Sequence, residues 1–242
     1  MTEIVACYVV FNEEDHLAES IRSIKNYVDR FIVIDSVFKS NPIEATHSTD
    51  RTRAVAEAVC AAPPAKTCLY IESLEKITEV EARNSYLEFL GSSDWAFVID
   101  GDEILYGDHA RILEAFKSIR NGSTRSNLAI PVYTVAIDAN KMAPDITSEE
   151  FSLNPTLTTS GYMPRLFEAR PDLRYTLEKG MVTPALTYAG PPAQYLLEAG
   201  RSIPGELFLI NHHTRQSLVS YYNDYVWETE GCLLYTYPSP RD

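Results

Sequence analysis

Apolar residues recur along the first half of the chain with two different spacings. Ile4 to Phe11 is an unbroken apolar run rich in β-branched side chains, as in a strand buried on both faces. Asn12-Glu-Glu-Asp15 follows, with the acids that a helix N-terminus favours. Leu17, Ile21, Ile24 and Val28 then recur at steps of four, three and four, which puts them on one face of a helix. Phe31 to Asp35 repeats the first motif, a short buried strand closed by an aspartate.

The alternation continues. Ser48-Thr-Asp-Arg-Thr52 reads as a helix cap, leading into a helix through Cys60 that Ala61-Ala-Pro-Pro-Ala65 ends. Thr67 to Ile71 is a third strand, and Ile77 to Leu90 a helix with Val80, Leu87 and Leu90 inward. Trp95 to Ile99 is a fourth buried strand, Asp108 to Ile119 a helix with Ile112, Phe116 and Ile119 on one face, and Asn127 to Ile137 a strand. Beyond Asp138 the periodicity weakens. Lys141 to Thr159 reads as a loop. Met163 to Phe167, Arg174 to Val182 and Glu206 to Ile210 read as strands, and Gln216 to Thr229 as a closing helix. Gly231 to Asp242 does not continue the pattern and resembles a translated sequencing adapter, so the natural sequence is expected to differ after about Glu230.

Strands alternating with helices predict an α/β domain built on a mostly parallel sheet. Such sheets bind ligands beyond the carboxyl ends of their strands, where Asn12, Asp35 and Asp100 fall. The expected organisation is one domain over residues 1–230, with a nucleotide-binding half over 1–105 and an acceptor half over 106–230; residues 231–242 are left outside it.

Composition narrows the partners. The net charge of -13 disfavours a nucleic-acid backbone or an anionic membrane surface, and an anionic substrate would need a local cation. No basic, apolar leader opens the sequence, and no apolar run approaches the ~20 residues of a membrane span. The four cysteines form no C-x-x-C pair, so neither a zinc site nor a redox motif is indicated. A cytoplasmic setting is expected.

The chemistry concentrates where the fourth strand ends. Trp95-Ala-Phe-Val-Ile-Asp-Gly-Asp-Glu103 delivers Asp100, Asp102 and Glu103 within four residues. Read as extended backbone, Asp100 and Asp102 face the same side, and Gly101 permits a close approach between them. Like charges gathered beside a dry strand need a proton or a cation. Two carboxylates cannot fill the shell of a hard divalent ion, so substrate oxygens or water would complete it, as for Mg²⁺ on a phosphate.

Read together, these segments resemble the family 2 nucleotide-sugar glycosyltransferases of the GT-A fold. Val9-Val-Phe-Asn-Glu-Glu14, Val33-Ile-Asp35, Ser48-Thr-Asp-Arg-Thr52, Ala82-Arg-Asn84 and Val98-Ile-Asp-Gly-Asp102 match that family's motifs in order, and Pro164-Arg-Leu-Phe167 and Asn211-His-His213 match weaker downstream features. The resemblance implies a Rossmann-like mixed, mostly parallel sheet flanked by helices. It implies transfer of a sugar from a nucleotide-diphosphate donor to a carbohydrate or other hydroxyl acceptor, with inversion. Asn12, Glu13, Asp35, Arg83 and Asp100 would bind the nucleotide sugar, with Asp35 accepting from the base. Asp102, with His212 or His213, would hold Mn²⁺ or Mg²⁺. Glu178 would be the base, with Asp172 and Glu168 as competitors. One departure is the segment from Ser36 to His47, which intervenes where the family passes almost directly from the aspartate to Ser-Thr-Asp; it suggests a pocket-side insertion.

Two other readings compete. Phe97-Val-Ile-Asp-Gly-Asp also resembles the haloacid-dehalogenase signature, with Asp100 attacking a phosphate and Asp102 as acid, although Ile104 departs from that pattern. The chain could also bind nucleotide sugars without turnover. At single positions, Arg83 could simply pair with an acid on its helix face, and His47 reads as solvated loop.

Overall fold

The computed structural model describes residues 2–107, 109–122, 127–135, 157–177, 185–188, 201–202 and 207–211. β1 (Ile4–Val10), β2 (Arg30–Asp35), β3 (Thr67–Glu72) and β4 (Trp95–Val98) run parallel in the spatial order β3-β2-β1-β4. The sheet continues through β7 (Leu157–Glu168) and β6 (Asn127–Val135), then β11 (Leu207–Asn211) and β5 (Glu103–Gly107), for nine strands once β10 (Arg201–Ser202) is paired to β6. β8 (Leu173–Thr176) and β9 (Ala185–Tyr188) form a separate antiparallel pair. The mixed α/β sheet expected from the alternation is present.

Helices cover both faces because the strands are apolar on both. In β1, Ile4, Ala6, Tyr8 and Val10 point to one core. There they meet α1 (Leu17–Ile24), α2 (Thr52–Ala61) and α4 (His109–Arg120) through Ile21, Ile24, Ala56, Ile112 and Phe116. Val5 and Cys7 point the other way, to a second core with Ala82 and Tyr86 of α3 (Glu79–Leu87) and Tyr175 of β8. On α3 and just past its end, Val80, Leu87 and Leu90 face the second core as expected and pack half-buried against it, while Ala82 and Tyr86, not singled out as inward from the sequence, are the residues buried within it. Tyr86 is held inward because its hydroxyl donates to Tyr175 Oη at 2.6 Å.

The topology places a crevice. β1, β2 and β3 step outward on one side, whereas β4 returns to pair with the other side of β1. At such a reversal the loops leaving the two strands diverge, and a ligand enters between them. Here those loops are Asn12-Glu13 and Asp100-Gly101. An unforeseen element follows: the chain turns after Val98 and re-enters the sheet as β5, with Glu103 opposite Asn211 of β11. Among the described residues, no helix is long and apolar enough to cross a membrane.

The core on the α4 side gives a test. Phe116 is fully buried, edge-on to Phe97 with ring centroids 5.6 Å apart. Phe116→Ala is expected to cost about 3–5 kcal/mol in urea unfolding, whereas Glu114→Ala on the exposed face stays within about 0.5 kcal/mol of the parent.

Candidate functional site

The β1–α1 turn is clamped by the Ser-Thr-Asp-x-Thr segment. Asn12 adopts φ 55, a left-handed conformation that asparagine tolerates better than most residues. Its N–H donates to Ser48 Oγ at 2.8 Å, and its side-chain oxygen accepts Thr49 N–H at 2.9 Å. The Glu13 N–H donates to Thr52 Oγ1 at 2.8 Å, and Thr52 Oγ1 in turn donates to Asp50. Glu14 N–H donates to the other Asp50 oxygen at 3.2 Å. Asp50 also accepts Thr52 N–H at 2.9 Å, so it serves the start of α2 as well. Ser48, Asp50 and Thr52 thus satisfy backbone N–H groups that the turn would otherwise leave unpaired.

Ser48 links this clamp to β2. Its N–H and hydroxyl both donate to Asp35 Oδ1 at 2.8 Å, and Tyr70 donates to Oδ2 at 2.7 Å. Burial raises the Asp35 carboxyl, against the pull of these bonds. Three accepted bonds leave one of its roughly four acceptor positions for a ligand. A cavity of about 300 Å³ opens there, lined by Asp35, His47, Ser48, Asp50, Arg53 and Glu72 among others. The insertion over Ser36 to His47 folds back onto α3's approach: Phe38 bridges Ile77, and Lys39 N–H donates to Ile77 O at 2.9 Å. His47 is therefore not a solvated loop residue. It is half-buried against Thr46 Oγ1 and Ser73 O and forms part of the cavity wall.

At the end of β4 the backbone is not extended as expected. Glu103 N–H donates to Asp100 O at 3.0 Å, closing a tight turn over Asp100-Gly-Asp-Glu. The Glu103 carboxylate returns to accept the Asp100 N–H at 2.9 Å. The turn, rather than strand alternation, brings Asp100 and Asp102 under each other's influence. Gly101 does permit a close approach, by Glu13: a Cβ built at 101 would lie 3.0 Å from Glu13 Cγ.

Four carboxylates, Glu13, Asp100, Asp102 and Glu103, therefore share one corner with two guanidiniums. Arg83 reaches Asp100 Oδ1 at 3.4 Å and Glu79 at 2.7 Å, and lies over the Tyr175 ring. Both readings of Arg83 thus apply, the acid on its own helix and the site. Arg165, nearly fully buried, binds Glu103 and lies 3.5 Å from Asp100 Oδ2. Burial pushes Asp100 up, but the two guanidiniums win and hold it below the usual carboxylate range. Burial lifts Glu13 to about 7, helped by Asp100 and Asp50. It lifts Glu103 to about 7 against the pull of Arg165. Asp102 is raised well above its ordinary value, first by burial and then by Asp100, Glu13 and Glu103.

Glu103 and Arg165 are the site residues to which no role was given from sequence. The signal was a charged residue inside the apolar strand Met163-Pro-Arg-Leu-Phe167. The two competitors for the base fall elsewhere. Glu168 pairs with Trp95 at the start of β4, the end of that strand away from Asp100. Asp172 is paired with Arg170 at 3.2 Å. Glu178, His212 and His213 lie outside the described residues, as does the segment over 231–242. Among the described residues, no group of three or more His, Cys, Asp or Glu side chains is arranged to hold a metal ion. The carboxylate oxygens of Asp102 and its neighbours are the donor type a hard divalent cation takes, with substrate oxygens and water able to complete its shell.

No protein-family profile matches the chain. Part of it is 35% identical over 106 residues to a Rickettsia felis protein described as an uncharacterized glycosyltransferase. The match covers 43% of this chain and 30% of that relative, so the chain spans under a third of the relative's length in the matched part. Among solved structures, S. aureus TarS 1-349 overlays with a TM-score of 0.45 at 15% identity, covering 69% of this chain and 47% of that 1-349 chain. A mannosyltransferase from Pyrobaculum calidifontis, PcManGT, in complex with GDP-Man and Mn²⁺, overlays at 0.41 and 17%, covering 53% and 35%. Overlays this loose decide neither fold nor activity here.

The raised Glu13 carboxyl makes a signed prediction. A group whose folded value lies above its unfolded value of 4.5 destabilises the fold as pH climbs through that window. Glu13→Gln is expected to match the parent in thermal stability below pH ~4.5 and to exceed it increasingly up to pH ~7, with no further gain above. Melting curves across pH 4–8.5 in EDTA check this; a pH-independent difference would contradict it.

Proposed function

We propose that the chain is a glycosyltransferase of the GT-A, family 2 type, moving a sugar from a nucleoside-diphosphate donor to a hydroxyl acceptor. The observation that carries this is the charge imbalance at the sheet's reversal point, four carboxylates against two guanidiniums. With all four ionised the excess would be two negative charges, which one divalent cation relieves, and the crevice is where α/β sheets hold nucleotides. The part-length similarity to the Rickettsia felis glycosyltransferase supports the same class.

In this reading the donor's base enters the cavity beside Asp35, whose remaining acceptor position takes a base N–H. Asn12 and Glu13 hold the turn between base and diphosphate. Arg83 faces the phosphates from α3. Asp102 would hold the cation, Mn²⁺ or Mg²⁺, which when bound neutralises charge developing on the leaving diphosphate. Asn211 lies opposite Glu103, so β11 ends beside the carboxylate turn; this favours His212 or His213, next in sequence, as a further ligand. Glu178 follows the strand whose Tyr175 packs under Arg83. It is the proposed base, taking the acceptor's proton as the hydroxyl attacks with inversion. Residues 1–105 would form the nucleotide half of one unit over 1–230. The free thiols of Cys7, Cys60 and Cys68 fit a reducing, cytoplasmic setting.

The phosphatase reading loses ground at Asp100. Two guanidiniums draw on its carboxylate, which lowers its nucleophilicity. Binding without turnover is separated from transfer by experiment. UDP and GDP titrated with Mn²⁺ are expected to bind at least about 10-fold tighter than in EDTA. Asp102→Ala should abolish that gain, and the parent should slowly hydrolyse a matching sugar nucleotide. Equal affinity in EDTA and in Asp102→Ala, or cleavage of simple phosphomonoesters instead, would overturn the proposal.

A further inference from the structure

We infer that Arg165 and Glu103 are a positioning pair that sets the shape of the Asp100–Asp102 turn before any ligand arrives. The inference rests on the glycosyltransferase reading for what the turn does, but on different observations for how it is held.

The first observation is a break in register. β7 pairs Leu166 with Leu128 but Pro164 with Ala129, so Arg165 is the extra residue of a bulge. A bulge re-aims one side chain and is found beside functional sites. Phe97 pairs with Leu166 on the other edge of β7, so the next residue toward the carboxyl end of β4 is Arg165. Without the bulge, strand alternation alone would set its direction. With it, the guanidinium spans two carboxylates three residues apart, one Nη on Glu103 and the other 3.5 Å from Asp100.

The second observation is that Glu103 is fully buried with both carboxylate oxygens engaged. One oxygen accepts from Arg165, and the other accepts the Asp100 N–H at 2.9 Å. Its side chain therefore closes the turn from inside, in parallel with the backbone bond from Glu103 N–H to Asp100 O. A third observation concerns what the arrangement sacrifices. Arg165 Nε is buried without a hydrogen-bond partner among the described residues. An ion pair that leaves a donor unpaired is a poor stabiliser. Its geometry makes sense if the fork is committed to fixing the two carboxylates. Groups behind a ligating residue are those that orient it.

The test uses Arg165→Lys, which keeps the charge and loses the fork, and Glu103→Gln, which keeps the shape and loses the charge. UDP and GDP are titrated against each variant and the parent, with Mn²⁺ and in EDTA. Amide hydrogen exchange across residues 99–104 is followed without metal. The expected result is a loss of about 10–100-fold in the Mn²⁺-dependent affinity, with the EDTA affinity unchanged and faster exchange at the Asp100 and Glu103 amides. A purely structural role would weaken both affinities together. If the parent shows the Mn²⁺ gain and both variants retain it, the positioning role is wrong and the glycosyltransferase reading stands. If the parent shows no Mn²⁺ gain, that reading falls and takes this inference with it.

Discussion

Crowding of like charge at one corner of the sheet governs the rest of this structure. Glu13, Asp100, Asp102 and Glu103 are brought together by two loops that leave adjacent parallel strands. Arg83 arrives from a helix on one face and Arg165 from a bulged strand. The guanidiniums favour Asp100 and leave the carboxyls of Glu13 and Asp102 raised. Such a corner costs stability without a cation. Hydrogen bonds to loop backbone offset part of that cost, from Ser48 and Thr52 to the first turn and from Glu103 to the second.

The same economy explains why familiar motif residues do double service. Ser48 bonds Asn12 and Asp35 at once, and Asp50 serves both Glu14 and the start of α2. Both residues also line the cavity beside Asp35, so that cavity and the carboxylate corner share the same support. The insertion over Ser36 to His47 does not loosen this arrangement. It pairs with the backbone around Ile77 and returns Ser48 to Asp35.

The parallel half of the fold was legible because its strands are apolar on both faces and its helices carry clean stripes, as Leu17, Ile21 and Ile24 do. Asn12, Asp35 and Asp100 were legible as strand-end polar groups, and Glu13 only through the family resemblance. Three things were not. The turn at Asp100 depends on a side chain folding back onto its own backbone, which periodicity does not report. β5 follows too closely on β4 to register as a separate element. Arg165 is aimed by a bulge, and a bulge is set by pairing between strands distant in sequence. On α3 the apolar residues do face the core, but its deepest contact was not legible, because Tyr86 is held by Tyr175, 89 residues away.

The measurement closest to the central claim is an anomalous-scattering map from crystals grown with Mn²⁺ and UDP or GDP. The account predicts a manganese peak bonded to Asp102, with diphosphate oxygens completing its shell and the base beside Asp35. A nucleotide bound in that crevice with no metal at Asp102, or a metal bound only elsewhere, would contradict it.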